Sequence, residues 1–203
     1  MDILGFALAV LLIELTPGPN MAWLSGLAAT EGKAAGLAAV AGVALGLLIN
    51  GLLAALGLAA LLQVAPQLWS ALQWTGAAMM IVLAIETWRG AGNGRLARPV
   101  ASTVRRAFFT GALINLLNPK AYVFFVAVAP RFIGGATLSL GSAVLLAVVS
   151  ASIATVIHLV LVITGARAQV WLTDPQRMQI ARRGFALVML AVAASFLLAD
   201  IGA

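Results

Sequence analysis

Residues 3–29 read ILGFALAVLLIELTPGPNMAWLSGLAA, an apolar run interrupted near its middle by Thr16-Pro17-Gly18-Pro19-Asn20. A helix crossing a hydrocarbon core of about 30 Å needs roughly 20 mainly apolar residues. This run is longer than that and carries one charge, Glu14. Pro17 and Pro19 have no backbone N–H, so the carbonyls of Ile13 and Leu15 lose their helical partners. In lipid a freed carbonyl is costly unless it faces protein or a water-filled cavity. The stretch therefore predicts a transmembrane helix broken at mid-depth.

The rest of the chain has the same character. Of its 203 residues, 63% are hydrophobic and 9% charged, with a mean hydropathy of +1.10. A soluble domain carries about 25% charged residues, so lipid is the expected solvent. Six spans are predicted, at about 3–29, 36–62, 66–88, 107–130, 137–164 and 184–202. They make an all-α membrane protein with no segment left over for a soluble domain. The N-terminus MDILGFALAV has no basic region before its apolar run and no small-residue cleavage site, so it reads as a resident helix. Cysteine is absent, which excludes disulfides and thiolate chemistry.

The basic residues set an orientation. Lys33 lies in the first loop, Arg89, Arg95, Arg98, Arg105 and Arg106 in the third, and Arg167, Arg177, Arg182 and Arg183 in the fifth. The even loops hold only Arg131, and Lys120 falls within the fourth span. The positive-inside rule then puts the odd loops in the cytoplasm and both termini outside. The net charge of +6 reflects that asymmetry and not a nucleic-acid partner. Within the second span, Gly42-Val-Ala-Leu-Gly46 is a small-xxx-small pattern that lets two helices approach closely.

The fourth span repeats the break at Asn118-Pro119-Lys120, freeing the carbonyl of Asn115. Thr16 before Pro17 and Asn118 before Pro119 both resemble an N-cap followed by proline at the first helical position. Each break would start a half-helix with its positive end at mid-depth. Pro17 and Pro119 are separated by almost half the chain, and each half holds three spans. An odd number per half forces the second half to lie inverted, giving repeats over about 1–101 and 102–203. Interrupted helices in corresponding places of inverted halves point to a transporter's binding site. Prolines can also kink helices harmlessly, but that does not account for two matched breaks with adjacent polar caps.

Glu14 lies about 18 Å into its span at 1.5 Å per residue, and Lys120 is similarly deep. A charge there costs at least ~2.5–3.5 kcal/mol, so such groups pair or line a pathway. Two readings stand: a structural Glu14–Lys120 ion pair, or Glu14 coupling protons or holding a substrate amine with Lys120 near the substrate carboxylate. His158, the only histidine, falls in the fifth span toward its cytoplasmic end and suits either a proton relay or a packed core position. Asn20, Asn50, Asn115 and Tyr122 offer neutral hydrogen bonds to a zwitterion, or equally to neighbouring helices. Glu86, three residues before Arg89, is expected to pair with it at the helix surface.

The run Glu14-Leu-Thr-Pro-Gly-Pro-Asn20, the glycine-rich second span, Asn115-Leu-Leu-Asn-Pro-Lys-Ala-Tyr-Val-Phe-Phe125 and Pro130-Arg-Phe132 together resemble the LysE/RhtB family of bacterial amino-acid exporters. The resemblance covers essentially the whole chain. It implies efflux of amino acids or related zwitterions across the bacterial inner membrane, driven by the proton gradient. Asn50 and Arg131 depart from the family pattern, which has histidine and glutamine there. A homodimer is left open.

Enzymatic rivals lack their motifs. Neither G-x-S-x-G with a histidine on another helix nor H-E-x-x-H occurs, and Ser25, Ser150 and Ser152 have no such setting. A cation or metal-ion exporter is the main alternative. Such a site prefers several carboxylates or other oxygen ligands, and this membrane interior offers Glu14 alone, opposed by Lys120. No cofactor is expected.

Overall fold

The computed structural model describes residues 1–16, 18–56, 65–90, 100–132, 140–172 and 174–198. Pro17, the far end of the second span, Arg95, Arg98 and the last residues of the sixth span lie outside the described residues. Helix α1 (Ile3–Leu15) starts at Asp2, whose side chain accepts the amide of Gly5 at 2.9 Å. It stops at Thr16, which is extended and turns its hydroxyl back onto the carbonyl of Leu12 at 3.1 Å. Helix α2 (Pro19–Glu31) begins from an extended Gly18, and its axis is bent 56° from that of α1. The expected break is present, but Thr16 closes the first arm and Gly18 opens the second. Pro19 suits the first helical position because its missing N–H would have no intrahelical partner there.

Gly32 takes φ +92°, a conformation open to glycine, and turns the chain directly into α3 (Lys33–Ala55). Then follow α4 (Pro66–Arg89) and α5 (Val100–Leu116). Here the second expected break occurs as predicted. Asn118 is extended, its side chain accepts the amide of Lys120 at 3.1 Å, and Pro119 opens α6 (Pro119–Val123). That half-helix lasts five residues before loosening into a π-helical turn at Phe124–Val128 and a 3₁₀ turn at Ala129–Phe132. The long α7 (Leu140–Gln169) and α8 (Pro175–Leu197) complete the described structure.

Among the described residues, Lys33–Ala54, Pro66–Arg89, Leu140–Leu172 and Pro175–Leu197 are long and apolar enough to cross a membrane, and α1 with α2 makes a fifth as one bent span. The region of α5 and α6 does not qualify on length and composition. Its first helix has 17 residues, including Arg105 and Arg106, before the chain breaks. Several helices outrun their expected spans: α5 starts at Val100, α7 reaches Gln169 and α8 starts at Pro175. Arg105, Arg106, Arg167, Arg177, Arg182 and Arg183 are therefore helical and not in loops. Backbone hydrogen bonding does not end where the hydrocarbon does, and capping extends α8 further. Asp174 accepts the amides of Gln176 at 2.8 Å and Arg177 at 3.1 Å, and these bonds hold its carboxyl below the usual range.

Helix α3 is the packing centre, lying against α5 on one side and α7 on the other. A Cβ on Gly42 would run into the carbonyl of Phe108, and one on Gly46 would stand 2.8 Å from the carbonyl of Ala112. The glycine pair thus brings the α3 and α5 backbones into contact, as small-residue interfaces do in membranes. Gly36 instead makes room for the side chain of Val162 of α7. Helix α4 packs on α8, and α2 on α7. The core holds Leu24, Val43, Met80, Ile114, Val162 and Met189. Outward, Leu8, Leu12, Val156 and Val160 are exposed; a helix apolar on both faces belongs in lipid.

Candidate functional site

Both breaks open onto one place. Asn115, in the last turn of α5, is fully buried and joins three helices. Its Oδ1 accepts from Nδ2 of Asn20 in the first turn of α2 at 2.8 Å. Its backbone carbonyl, the one freed by Pro119, accepts from Nδ2 of Asn50 on α3 at 3.0 Å and from the amide of Asn118 at 3.1 Å. An asparagine side chain has two acceptor and two donor positions, so these bonds leave capacity unused. Asn20 Oδ1, Asn50 Oδ1 and Asn115 Nδ2 are buried without hydrogen-bond partners, as is the hydroxyl of Ser150 on α7. Each such group costs about 1–3 kcal/mol. With Nε2 of His158, five such atoms are buried among the described residues.

Lys120 closes the first break from the second. Its ammonium donates to the carbonyl of Ile13 at 2.5 Å and to that of Thr16 at 2.9 Å. The carbonyl that Pro17 was expected to orphan thus has a cationic donor, placed at the negative end of α1. Among the described residues, Glu14 does not form the ion pair with Lys120 that the structural reading of the two charges requires. Its carboxylate faces Nε2 of His158 on α7 at 3.7 Å, a Coulombic contact beyond hydrogen-bond length. The reason is geometric: the broken end of α1 exposes carbonyls nearer to the ammonium. Lys120 still lies within electrostatic reach of Glu14. His158 is 1% exposed, in the C-terminal half of α7.

Between these groups is a cavity of about 30 Å³, lined by Glu14, Gly18, Asn20, Asn118, Lys120 and Ser150. That is room for a water molecule or two, so the site is narrow around its polar groups. Pro19 and Asn115 also line it. Asn50 and His158 bond or face lining residues from behind, and Pro119 stands at the turn. Thr16 is exposed and contributes its carbonyl. Tyr122 is turned away: its hydroxyl donates to the carbonyl of Leu116 at 2.9 Å, and its ring packs on Trp69. Gly18 gives α2 no side-chain cap, so the first amides of that helix point at the cavity without one.

Ser150 was not legible as a site residue, since one hydroxyl in an apolar span has no distinguishing neighbours. Glu86 also differs from expectation. It pairs with Arg106 of α5, not with Arg89 of its own helix. Arg106 reaches it because α5 begins early enough to carry that residue beside α4.

Chemically, the cavity offers acceptors for an ammonium in Glu14 and Asn20 Oδ1. It offers donors for a carboxylate in Lys120 and Asn115 Nδ2. Among the described residues, no three His, Cys, Asp or Glu side chains gather as metal ligands would.

The sequence model of the LysE type translocator family matches residues 11–200. An uncharacterized membrane protein of Pseudomonas aeruginosa is 32% identical over 87% of this chain and 85% of its own length. The homoserine/homoserine lactone efflux protein of Salmonella typhimurium is 28% identical over 94% of this chain and 93% of its own. The leucine efflux protein of Klebsiella pneumoniae is 28% identical over 66% and 64% respectively. No solved structure matches the chain.

Proposed function

This chain belongs to the LysE type translocator family, and on that premise we propose that it exports a small amino acid or related zwitterion across the bacterial inner membrane in exchange for protons. One observation carries the reading. Where the two helix breaks meet, Glu14 and Lys120 share a cavity with amide atoms that have no partner. The relatives named for homoserine and leucine efflux support the substrate class.

The carrier has six spans, α5 with α6 counting as the broken fourth, in two inverted halves over about 1–101 and 102–203. The contacts support this: α1 on α7 in one half corresponds to α5 on α3 in the other, each being the arm that precedes a break. Substrate binds at the breaks, ammonium toward Glu14 and Asn20, carboxylate toward Lys120 and Asn115. Glu14 and His158, facing each other across 3.7 Å, hold the exchanged proton. A proton changes the charge at the cavity and a zwitterion takes up its unpartnered polar atoms, and either lets one half rock against the other. Both termini face outward.

The experiment is release from reconstituted vesicles. Vesicles loaded with a panel of amino acids are given an imposed pH gradient, and efflux is followed for each. Release of at least one amino acid, faster with the gradient than without, is expected. No release of any member would remove the export reading, and release indifferent to the gradient would remove proton exchange.

A further inference from the structure

At the end of α2 away from the break, α2, α4, α5 and α8 enclose a second cavity of about 290 Å³. That is near the lower end of the roughly 300–1,000 Å³ typical of small-molecule sites. Trp23, Leu27, Leu83 and Met189 form an apolar wall. Two ion pairs also line it, one joining Glu86 of α4 to Arg106 of α5 and the other Glu31 of α2 to Arg182 of α8 at 3.2 Å. Arg182 further donates to the carbonyl of Thr30 at 3.3 Å.

This cavity is aligned with the one at the breaks. Asn20, Trp23, Leu27 and Thr30 follow at three- and four-residue spacing and share one face of α2. Asn20 lines the midplane cavity and the other three line the second, from about 5 to about 15 Å further along at 1.5 Å per residue. Trp23, only 4% exposed, separates them. The second cavity lies at the end bearing the basic segments, which the positive-inside rule assigns to the cytoplasm.

We infer that this cavity is a second binding site for a zwitterionic amino acid, filled from the cytoplasm before the substrate passes Trp23 to the breaks. The inference rests on the export reading and adds the place where selection begins. A zwitterion carries one charge of each sign. Inserted into the Glu31–Arg182 pair, its ammonium meets the carboxylate and its carboxylate meets the guanidinium fork, so no charge is left unmatched. A simple amine would draw Glu31 away and leave the guanidinium of Arg182 without its carboxylate. That penalty is largest at Glu31–Arg182, whose side chains are 24% and 11% exposed, against 41% and 40% for Glu86–Arg106. The substrate side chain lies on the apolar wall.

The test uses the full chain in vesicles of both orientations, with labelled leucine and labelled homoserine as probes. Glu31→Gln with Arg182→Gln should raise KM on the basic-segment face about tenfold, the effect of losing a charge-assisted contact. KM on the opposite face should stay within about twofold, which also reports an intact fold. Leu27→Trp fills the cavity without removing either pair and should give the same one-sided rise. Exchanging the partners, Glu31→Arg with Arg182→Glu, rebuilds the bridge but reverses the direction in which a zwitterion must lie against the apolar wall, so recovery of wild-type KM there would overturn the inference. Unchanged KM on the basic-segment face in both the glutamine pair and Leu27→Trp would overturn it too. If the wild-type protein moves neither probe nor any other amino acid, the export reading fails instead.

Discussion

The ammonium of Lys120 donates to the carbonyl of Ile13 at 2.5 Å, a bond between the second helix break and the first. One residue thereby satisfies backbone freed 107 positions earlier in the chain and neutralises the negative end of α1. Lys120→Met should lower stability by about 2 kcal/mol, combining a lost helix-end cation with the loss of its two bonds to backbone carbonyls. Lys120→Arg should lose less than half of that. Thermal unfolding of the two variants in detergent measures both, and a Met variant as stable as wild type would remove the capping role.

Glu14→Gln keeps the shape and hydrogen-bonding capacity of the side chain while removing its titration. The variant should fold, because Lys120 bonds to backbone carbonyls and does not depend on Glu14 as its sole partner. Efflux should stop responding to an imposed pH gradient, while exchange of substrate for substrate persists. His158→Gln separates the two members of the pair: retained gradient response there assigns the proton to Glu14 alone. Full gradient-driven efflux by Glu14→Gln would exclude it as the coupling group.

Asn20 and Asn115 should be thermodynamically coupled. Asn115→Ala removes the acceptor of Asn20 and leaves another buried donor unpaired, for a loss of about 1–3 kcal/mol. In a double-mutant cycle with Asn20→Ala, the coupling should be about 0.5–3 kcal/mol. Additive effects would mean that the 2.8 Å bond contributes nothing to the helix junction.

The glycines offer a graded test of packing. Gly42→Ala puts a methyl group against the Phe108 carbonyl of α5 and should cost about 1–3 kcal/mol. Gly184→Ala, in α8 with nothing within 4 Å of its new Cβ, should stabilise by up to about 1 kcal/mol. Unfolding midpoints that move in the same direction for both would contradict the close α3–α5 crossing.

Orientation can be read from labelling, and the absence of native cysteine makes single-cysteine variants clean. Gln67→Cys, at the start of α4, should react with an impermeant reagent from the outside. Arg177→Cys, at the start of α8, should react from the cytoplasmic side. Labelling of both from one side would overturn the six-span arrangement.

The sequence by itself determined the solvent and the places where two of the helices break. Long apolar runs admit only lipid. A proline lacks its N–H whatever surrounds it, so breaks near Pro19 and Pro119 were legible, as was the Asn118 cap, which needs a side chain only two residues from its amide. The Gly42–Gly46 spacing likewise announced a close helix crossing, though not its partner α5. Tertiary structure alone decided who meets whom. Charge and depth suggested Glu14 with Lys120, yet in three dimensions the broken end of α1 offers carbonyls to the ammonium and turns the carboxylate toward His158. Glu86 found Arg106 across a helix interface and not Arg89 along its own helix. Ser150, silent in its apolar span, became part of the site because α7 packs against α2 and α3. Local rules fix groups bonded within a few residues. Pairings across 95 or more residues, as between Asn20 and Asn115, depend on how helices rotate to bury their faces, and that is set by the packing of the whole bundle.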